Sequence, residues 1–250
     1  MDFSTQKILI TGAASGLGRA TATVLRDAGA QVTILDRDTA GQDVAASMGA
    51  HFAEVNVTDE ASVKAAVDKA ALDMNGLTGA INCAGIATGE KTLGRDGPMP
   101  LANFKRTIDI NLVGSFNVAR DAAVIMAQNE PDADGLRGAI INTASVAAFE
   151  GQKGQTAYAS SKGGIVGLAL PMARDLSRDG IRVMAIAPGI FRTPMLEGLG
   201  EEVMDGLAKD VVAPQRLGKP SEFGELAKFI LSAPYLNGSV IRLDGGIRLP

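Results

Sequence analysis

The chain of 250 residues carries a formal net charge of −4 at neutral pH, with 46% hydrophobic residues, one cysteine and one histidine. That size and apolar content suit one large α/β domain or two small ones, and the charge gives no reason to expect nucleic acid or an anionic membrane as a partner. The single cysteine, Cys83, excludes an intrachain disulfide and a cysteine-based zinc site, so no metal is expected and a reducing compartment is tolerated.

The opening "MDFSTQKILITG" enters a strand-like segment almost at once. It lacks the basic region and apolar core of a secretory signal and is not an arginine-rich transit peptide, and no apolar run is long enough to span a bilayer. A cytoplasmic enzyme or binding protein is the expectation. "KILIT" (7–11) reads as the first strand and leads through "TGAASGLG" (11–18) into a helical pattern over 16–29. Gly12 would permit the tight turn, while Gly16 and Gly18 would let backbone approach a pyrophosphate and the helix approach the sheet. The helix N-terminus then offers free N–H groups to phosphates. The second strand, "QVTIL" (31–35), ends at Asp36. A carboxylate there can accept both ribose hydroxyls of an adenosine and would repel a 2′-phosphate, which favours NAD over NADP. Arg37 would partly offset that repulsion, and the plainer reading is that Asp36 caps the next turn.

A helix over 40–48, a strand "HFAEV" (51–55), a helix over 59–73 and a strand "GAINC" (79–83) follow. The last ends in "NCAG" (82–85), whose small residues around Asn82 would let a cofactor lie close over the strand ends. "TGEKTLGRDGPMP" (88–100) is an excursion rich in Gly and Pro. Its Lys91 and Arg95 would meet coenzyme A phosphates or, more simply, be solvated loop charges. A helix spans 102–128, and "NEPDADGLRG" (129–138) is an acidic exposed connection. The fifth strand, "GAIINT" (138–143), is followed by Ser145, and a helix over 157–178 opens with "AYASSKGG". Tyr158 and Lys162, four apart, would share one helix face. A phenol beside an ammonium is a proton-transfer device, and also a common accident of surface helices. "IRVMAIA" (181–187), a helix over 221–232 and "GSVIRL" (238–243) complete the pattern. Between them, 189–214 is long, partly helical and partly apolar, as a substrate lid would be.

Continuous apolar strands alternating with amphipathic helices predict a single-domain Rossmann fold over 1–250: a doubly wound parallel sheet of about seven strands with helices on both faces. In such sheets ligands bind outside the carboxyl ends of the strands. Gly12, Asp36, Asn82, Ser145 and the "APG" at 187–189 all fall on that edge, which lifts the Tyr158–Lys162 pair above coincidence.

The set "TGAASGLG", "NCAG", "NLVG", Ser145, "YASSK" and "APGIFRT" resembles the short-chain dehydrogenase/reductase family from end to end. Within it, 137–191 and "NGSVIRLDGGIR" look closest to the type 2 3-hydroxyacyl-CoA dehydrogenase branch, which also hosts hydroxysteroid and branched-chain hydroxyacyl-CoA activities. The resemblance implies Tyr158 as general acid/base with Lys162 as its partner, and Ser145 hydrogen-bonding the substrate oxygen. It implies that Asn111 holds a water in a proton relay, that Thr193 bonds the nicotinamide carboxamide and that Gln152 contacts substrate. It implies NAD contacts at Gly12, Ser15, Gly16, Leu17, Gly18, Asp36, Asn56, Val57, Cys83, Ala84, Gly85, Tyr158, Lys162, Pro188, Gly189 and Thr193. An acyl-CoA substrate and a homotetramer follow from the same resemblance. Cys83 departs from a frequent second asparagine, Met184 from a frequent asparagine, and Asn56 from a frequent aspartate, though its carbonyl oxygen would still bond adenine.

Oxidising an alcohol removes a proton from oxygen and a hydride from carbon, and the cofactor takes the hydride. A free tyrosine titrates near about 10, so Lys162 and the nicotinamide cation are expected to favour the phenolate. His51 opens a strand outside these motifs, and Cys83 reads as a small strand-end residue. Met195, Leu196 and Leu199 would line an acyl pocket or pack the lid shut. The competing functions are a 3-oxoacyl carrier-protein reductase, opposed by Asp36, a hydroxysteroid or other secondary-alcohol dehydrogenase, and a non-catalytic NAD-sensing regulator, opposed by Ser145, Tyr158 and Lys162.

Overall fold

A computed structural model of the chain describes residues 2–197 and 200–249. Seven strands form one parallel sheet: β1 (Lys7–Thr11), β2 (Gln31–Asp36), β3 (His51–Glu54), β4 (Gly79–Asn82), β7 (Gly138–Thr143), β8 (Ile181–Pro188) and β9 (Val240–Leu243). Their spatial order is β3-β2-β1-β4-β7-β8-β9, so the chain winds outward from β1 in one direction and then from β4 in the other. The point between β1 and β4 is where such a sheet opens a crevice at its carboxyl edge.

β1, β2, β4, β7 and β8 are continuous apolar strands buried on both faces, and the twofold side-chain alternation sorts them. Leu9, Leu35, Ala80, Ile140 and Val183 pack with α3 (Glu60–Met74) and α5 (Gly114–Met126) on one side. Ile8, Ile10, Ile34, Ile81, Ile141 and Ile186 pack with α1 (Gly16–Asp27) and α9 (Pro220–Ser232) on the other. Each fully buried aliphatic side chain contributes about 1.5–3 kcal/mol, so the two layers anchor the carboxyl edge firmly. Arg182 interrupts the apolar run of β8, and its guanidinium donates to Ile230 O at 3.1 Å, Leu231 O at 2.9 Å and Leu236 O at 2.8 Å, closing the C-terminus of α9.

The remaining helices are α2 (Gly41–Ser47), α4 (Leu101–Ile108), α6 (Thr156–Asp175), α7 (Pro194–Glu197) and α8 (Glu201–Ala208). The helix expected over 102–128 is not continuous: a π-helical turn, Asp109–Val113, joins α4 to α5. Just after it, Gly114 lies so close to Val57 that a Cβ would sit 2.6 Å from the valine Cγ2. The 88–100 excursion contains a small hairpin, β5 (Leu93–Gly94) and β6 (Gly97–Pro98). The last strand begins at Val240 rather than 238. Among the described residues no helix is long and apolar enough to cross a membrane.

Candidate active site

The glycine turn is held by its neighbours' backbones. Gly12 has φ +65°, and its N–H donates to Leu35 O at 2.8 Å. A Cβ there would lie 2.7 Å from the backbone of Ala84, so nothing larger fits between the first turn and "NCAG". Thr11 Oγ1 stitches the two turns by accepting from Cys83 N and Ala84 N, both at 3.1 Å. A Cβ on Gly18 would collide with the Gly12 carbonyl, which lets α1 start directly behind the turn. Ser15 caps α1 with an exposed hydroxyl that makes no capping bond, while Leu17 packs into the core. Across the cleft, the nearest atom to a Cβ on Gly16 is Thr193 Cγ2, at 3.9 Å. The start of the 189–214 segment thus comes close to the α1 N-terminus. Pro188 is buried at the end of β8, and Gly189 N donates to Leu243 O at 2.9 Å.

Asp36 does both things read for it. Its carboxylate accepts from Ala14 N at 2.9 Å and from Asp38 N at 3.0 Å, so it caps its own turn and braces the glycine turn. A carboxylate has about four acceptor sites, so two are left for hydroxyls. Asn56 departs from expectation: its Oδ1 already accepts from Thr58 N at 3.2 Å and Thr58 Oγ1 at 2.9 Å. The carbonyl oxygen reserved for adenine is committed to the asparagine's own turn, leaving the amide N–H groups. The Val57 side chain is buried against α5, so only its backbone faces the cleft side of the turn.

Ser145, Tyr158, Lys162 and Asn111 converge. Ser145 caps a short 3-10 turn after β7, with Ala147 N donating to its Oγ at 3.1 Å. Tyr158 lies in the first turn of α6 and Lys162 in the second. The lysine ammonium donates to Thr143 O at 2.8 Å and stands 5.8 Å from the centre of the tyrosine ring. Gly85 closes the group, since a Cβ there would lie 3.1 Å from Asn111 Oδ1 and 3.7 Å from Lys162 Nζ.

Burial raises the Tyr158 pKa above the ordinary tyrosine value, and the Ser145 hydroxyl beside it offsets this only in part. The Lys162 ammonium donates to the Thr143 carbonyl rather than to the phenol. Burial brings Lys162 down to about 8. The Cys83 thiol is pushed up to about 11 by burial, with Thr143 Oγ1 donating to its sulfur at 3.6 Å, so it is an inert thiol at neutral pH. His51 is exposed at the far, amino end of β3.

Asn111 sits in the π turn with both amide hydrogens committed. Its Oδ1 accepts from Ile86 N at 2.8 Å, and its Nδ2 donates to Ile86 O at 2.9 Å and Ser161 Oγ at 3.0 Å. Its backbone carbonyl accepts from Ser115 Oγ at 2.8 Å. Sequence reasoning assigned no role to Thr11, Ser115, Thr143 or Ser161, nor to the buried pair in which Asn82 Nδ2 donates to Asn142 Oδ1 at 2.9 Å. A buried polar side chain inside a quoted motif was the available signal.

The substrate side is built from distant segments. A Cβ on Gly151 would lie 2.7 Å from Ala159 Cβ, so the loop carrying Gln152 packs on the first turn of α6. Gln152 itself is exposed, with its N–H on Gln155 Oε1 at 3.0 Å. The 88–100 excursion docks onto that loop: Glu90 N donates to Gly154 O at 2.7 Å, and the Thr92 and Thr156 hydroxyls are 3.1 Å apart. Lys91 and Arg95 are exposed on it. In the 189–214 segment Val211 packs against Val146 and Ile247, and Leu196 is half-buried. Leu199 and the Met195 side chain, expected to face an acyl chain, lie outside the described residues.

A helix N-terminus behind a three-glycine turn, with Ser145, Tyr158 and Lys162 gathered at the same sheet edge, is the arrangement of a Rossmann-type oxidoreductase. A family model described as "Enoyl-(Acyl carrier protein) reductase" matches residues 12–248. The chain is 52% identical over 246 residues to the 3-hydroxyacyl-CoA dehydrogenase type-2 of Homo sapiens, covering 96% of this chain and 94% of that protein. It is 50% identical over 246 residues to the protein of the same name from Rattus norvegicus, with the same coverage. The crystal structure of 3-hydroxyacyl-CoA dehydrogenase type-2 from Mycobacterium avium superposes with a TM-score of 0.95 at 43% identity, over 99% of this chain and 98% of that one. The chain belongs to the short-chain dehydrogenase/reductase family, and is therefore an oxidoreductase that works with a nicotinamide cofactor.

Proposed function

We propose that the chain interconverts 3-hydroxyacyl-CoA and 3-ketoacyl-CoA with NAD as cofactor. The observation that carries this reading is the continuous wall running from Ser145 and Tyr158 through the Gln152 loop to the docked 88–100 hairpin. It offers a polar side chain near the reacting carbon and an extended surface beyond it, which suits a thioester with a long carrier. The 50–52% identity to proteins named 3-hydroxyacyl-CoA dehydrogenase type-2 supports the same substrate class.

The residues present fit the cofactor. The tight turn that Gly12 and Gly18 permit, the uncommitted Ser15 hydroxyl and the α1 N-terminus suit a pyrophosphate. Asp36 suits ribose hydroxyls and disfavours a 2′-phosphate. Backbone around Asn56, Val57, Cys83, Ala84 and Gly85 borders the adenosine and nicotinamide halves, and Thr193 faces Gly16 across the cleft. When bound, the nicotinamide supplies the hydride donor or acceptor. The chain does the rest. Ser145 hydrogen-bonds the substrate oxygen and holds it for Tyr158, which exchanges the proton. Burial favours the protonated phenol, the form from which ketone reduction starts. Lys162 anchors to Thr143 O and keeps two donors for the cofactor. The Asn111 carbonyl holds the relay water, and the Gln152 amide bonds the thioester carbonyl. The 189–214 segment acts as the lid.

One domain spanning 1–250, a homotetramer and a cytoplasmic location belong to the same proposal. Two separate exposed apolar faces support the tetramer: Leu101, Val113, Phe116 and Val124 along α4 and α5, and Phe229 and Tyr235 beside β9. Two self-complementary faces are what a dimer of dimers requires. The family model's description favours one rival, a carrier-protein reductase; Asp36 counts against its usual NADPH.

The test is a panel. Acetoacetyl-CoA with NADH is expected to be reduced far more efficiently than free acetoacetate, because coenzyme binding remote from the carbonyl is used in the transition state. Equal efficiency, or better turnover of a steroid, overturns the substrate assignment. Asp36→Ala is expected to weaken NADH binding and narrow the gap to NADPH; a wild type that prefers NADPH overturns the cofactor assignment.

A further inference from the structure

Ser161 lies between Tyr158 and Lys162 in α6, is fully buried, and has no part in the chemistry described above. Its hydroxyl donates to Tyr158 O at 2.7 Å and accepts from Asn111 Nδ2 at 3.0 Å. The first bond alone is ordinary, since helical serines often bond a carbonyl one turn back. The second comes from another element. The same Asn111 amide clasps Ile86 through both its N–H and its C=O, at 2.8 and 2.9 Å. The Asn111 amide and the Ser161 hydroxyl thus link three segments: the strand-end stretch after "NCAG", the π turn, and the first turn of α6. The hydroxyl's single hydrogen and one lone pair are both used, and the Asn111 amide has no N–H left to re-pair.

We propose that Ser161 is a positioning residue for the reaction: it ties the turn bearing Tyr158 to the Asn111 clasp on Ile86, so that the phenol is held in register with Ser145 and the cleft. The proposal rests on Tyr158 being the acid/base but not on which alcohol is the substrate. Loss of the Ser161 hydroxyl leaves one Asn111 N–H unpaired in a buried site and frees the first turn of α6 to rotate. Displacements on the order of 1 Å at a reacting group cost up to about a hundredfold in rate. The acyl and coenzyme surfaces do not touch Ser161, so substrate affinity is spared.

The experiment compares Ser161→Ala, Ser161→Thr and Ser161→Cys with the wild type. Activity is measured on acetoacetyl-CoA with NADH, or on whichever secondary alcohol the panel finds turned over. Ser161→Ala is expected to lower kcat about tenfold or more while KM stays within about twofold and NADH binding, read by fluorescence, is retained. The limb of its pH profile that reports Tyr158 moves to higher pH, because a loosened turn loses the Ser145 hydroxyl's support of the phenolate while burial persists. The other ionisable groups beside it, Lys162 and Cys83, are unchanged. Ser161→Thr, which keeps the hydroxyl, restores kcat, and Ser161→Cys, of similar volume, does not. A Ser161→Ala enzyme with wild-type kcat and pH profile overturns the proposal, as does a Cys variant as active as the Thr variant. Should the Ala variant not fold, the Thr and Cys pair decides in the same way. Tyr158→Phe, run alongside, separates the two readings: turnover kept there but lost in Ser161→Ala overturns the acid/base reading and the proposal with it.

Discussion

The cofactor edge and the substrate wall face each other across one cleft but are held by different forces. At the cofactor edge the ties are short bonds from backbone N–H groups: Gly12 N to Leu35 O, Cys83 N and Ala84 N to Thr11 Oγ1, Ala14 N to Asp36. On the substrate side neutral bonds, such as Glu90 N to Gly154 O, are joined by ionic ties. Glu150, five residues past Ser145, pairs with Arg242 at 2.9 Å and Arg248 at 3.4 Å, and Asp244 joins the same network at 2.7 Å from Arg242. Within the 189–214 segment Arg192 pairs with Glu197 at 3.1 Å and Glu201 at 2.6 Å. Backbone packing does not admit an added methyl group. Partly exposed ion pairs tolerate rearrangement and are screened by salt. A dehydrogenase built this way keeps one cofactor geometry and leaves the substrate wall free to change.

The sharpest way to break that contrast is Gly12→Ala. The new Cβ would meet Ala84 backbone in a left-handed conformation, at a cost of about 1–2 kcal/mol for the conformation and about 1–3 kcal/mol for the overlap. Thermal melts and NADH titration should show a lower Tm and nearly abolished binding. An unaltered Tm with normal affinity would mean the edge is far softer than described.

Lys162 stands at the seam between the two regions. Its folded-state pKa of about 8 lies below the ordinary 10.5. Between those values the unfolded chain binds more protons, so the cost of burying this ammonium is full below about 8 and is relieved as pH rises from 8 to 10.5. Comparing Tm against pH for the wild type and Lys162→Met, the wild type should gain on the variant as pH climbs through that window, although the variant loses turnover. A pH-independent difference would contradict the cost of burying the ammonium.

The smallest expected effect is Glu150→Gln. The Arg242 and Arg248 pairs hold its carboxyl below the usual range, yet they lie at the surface. The variant should fold, bind NADH normally and show a few-fold higher KM for acetoacetyl-CoA, with the wild type's own KM drifting the same way as salt is raised. A large kcat loss would instead place Glu150 with the rigid half.

The strands were legible because a strand buried on both faces must be apolar throughout, and "KILIT" and "GAIINT" coincide with β1 and β7. The glycine turn, Asp36 and the Tyr158–Lys162 spacing were legible because their chemistry depends on near neighbours in the chain. The π turn at Asn111 was not, since one extra residue in a helical turn leaves no mark on a 3.6-residue period. Nor was the hairpin within 88–100, whose two-residue strands are too short for alternation to register.

By itself, then, the amino-acid sequence determined which segments cross the sheet and which turns face its carboxyl edge, because helix and strand periods and turn chemistry act over a few residues. Tertiary structure alone decided what the side chains do there. It turned Lys162 to Thr143 O rather than to the phenol, gave Asp36 two backbone partners, used up the Asn56 carbonyl, and joined Ile86, Asn111 and Tyr158 through Ser161. Each of those depends on removing water from groups distant in sequence, and desolvation is set only when the chain has packed.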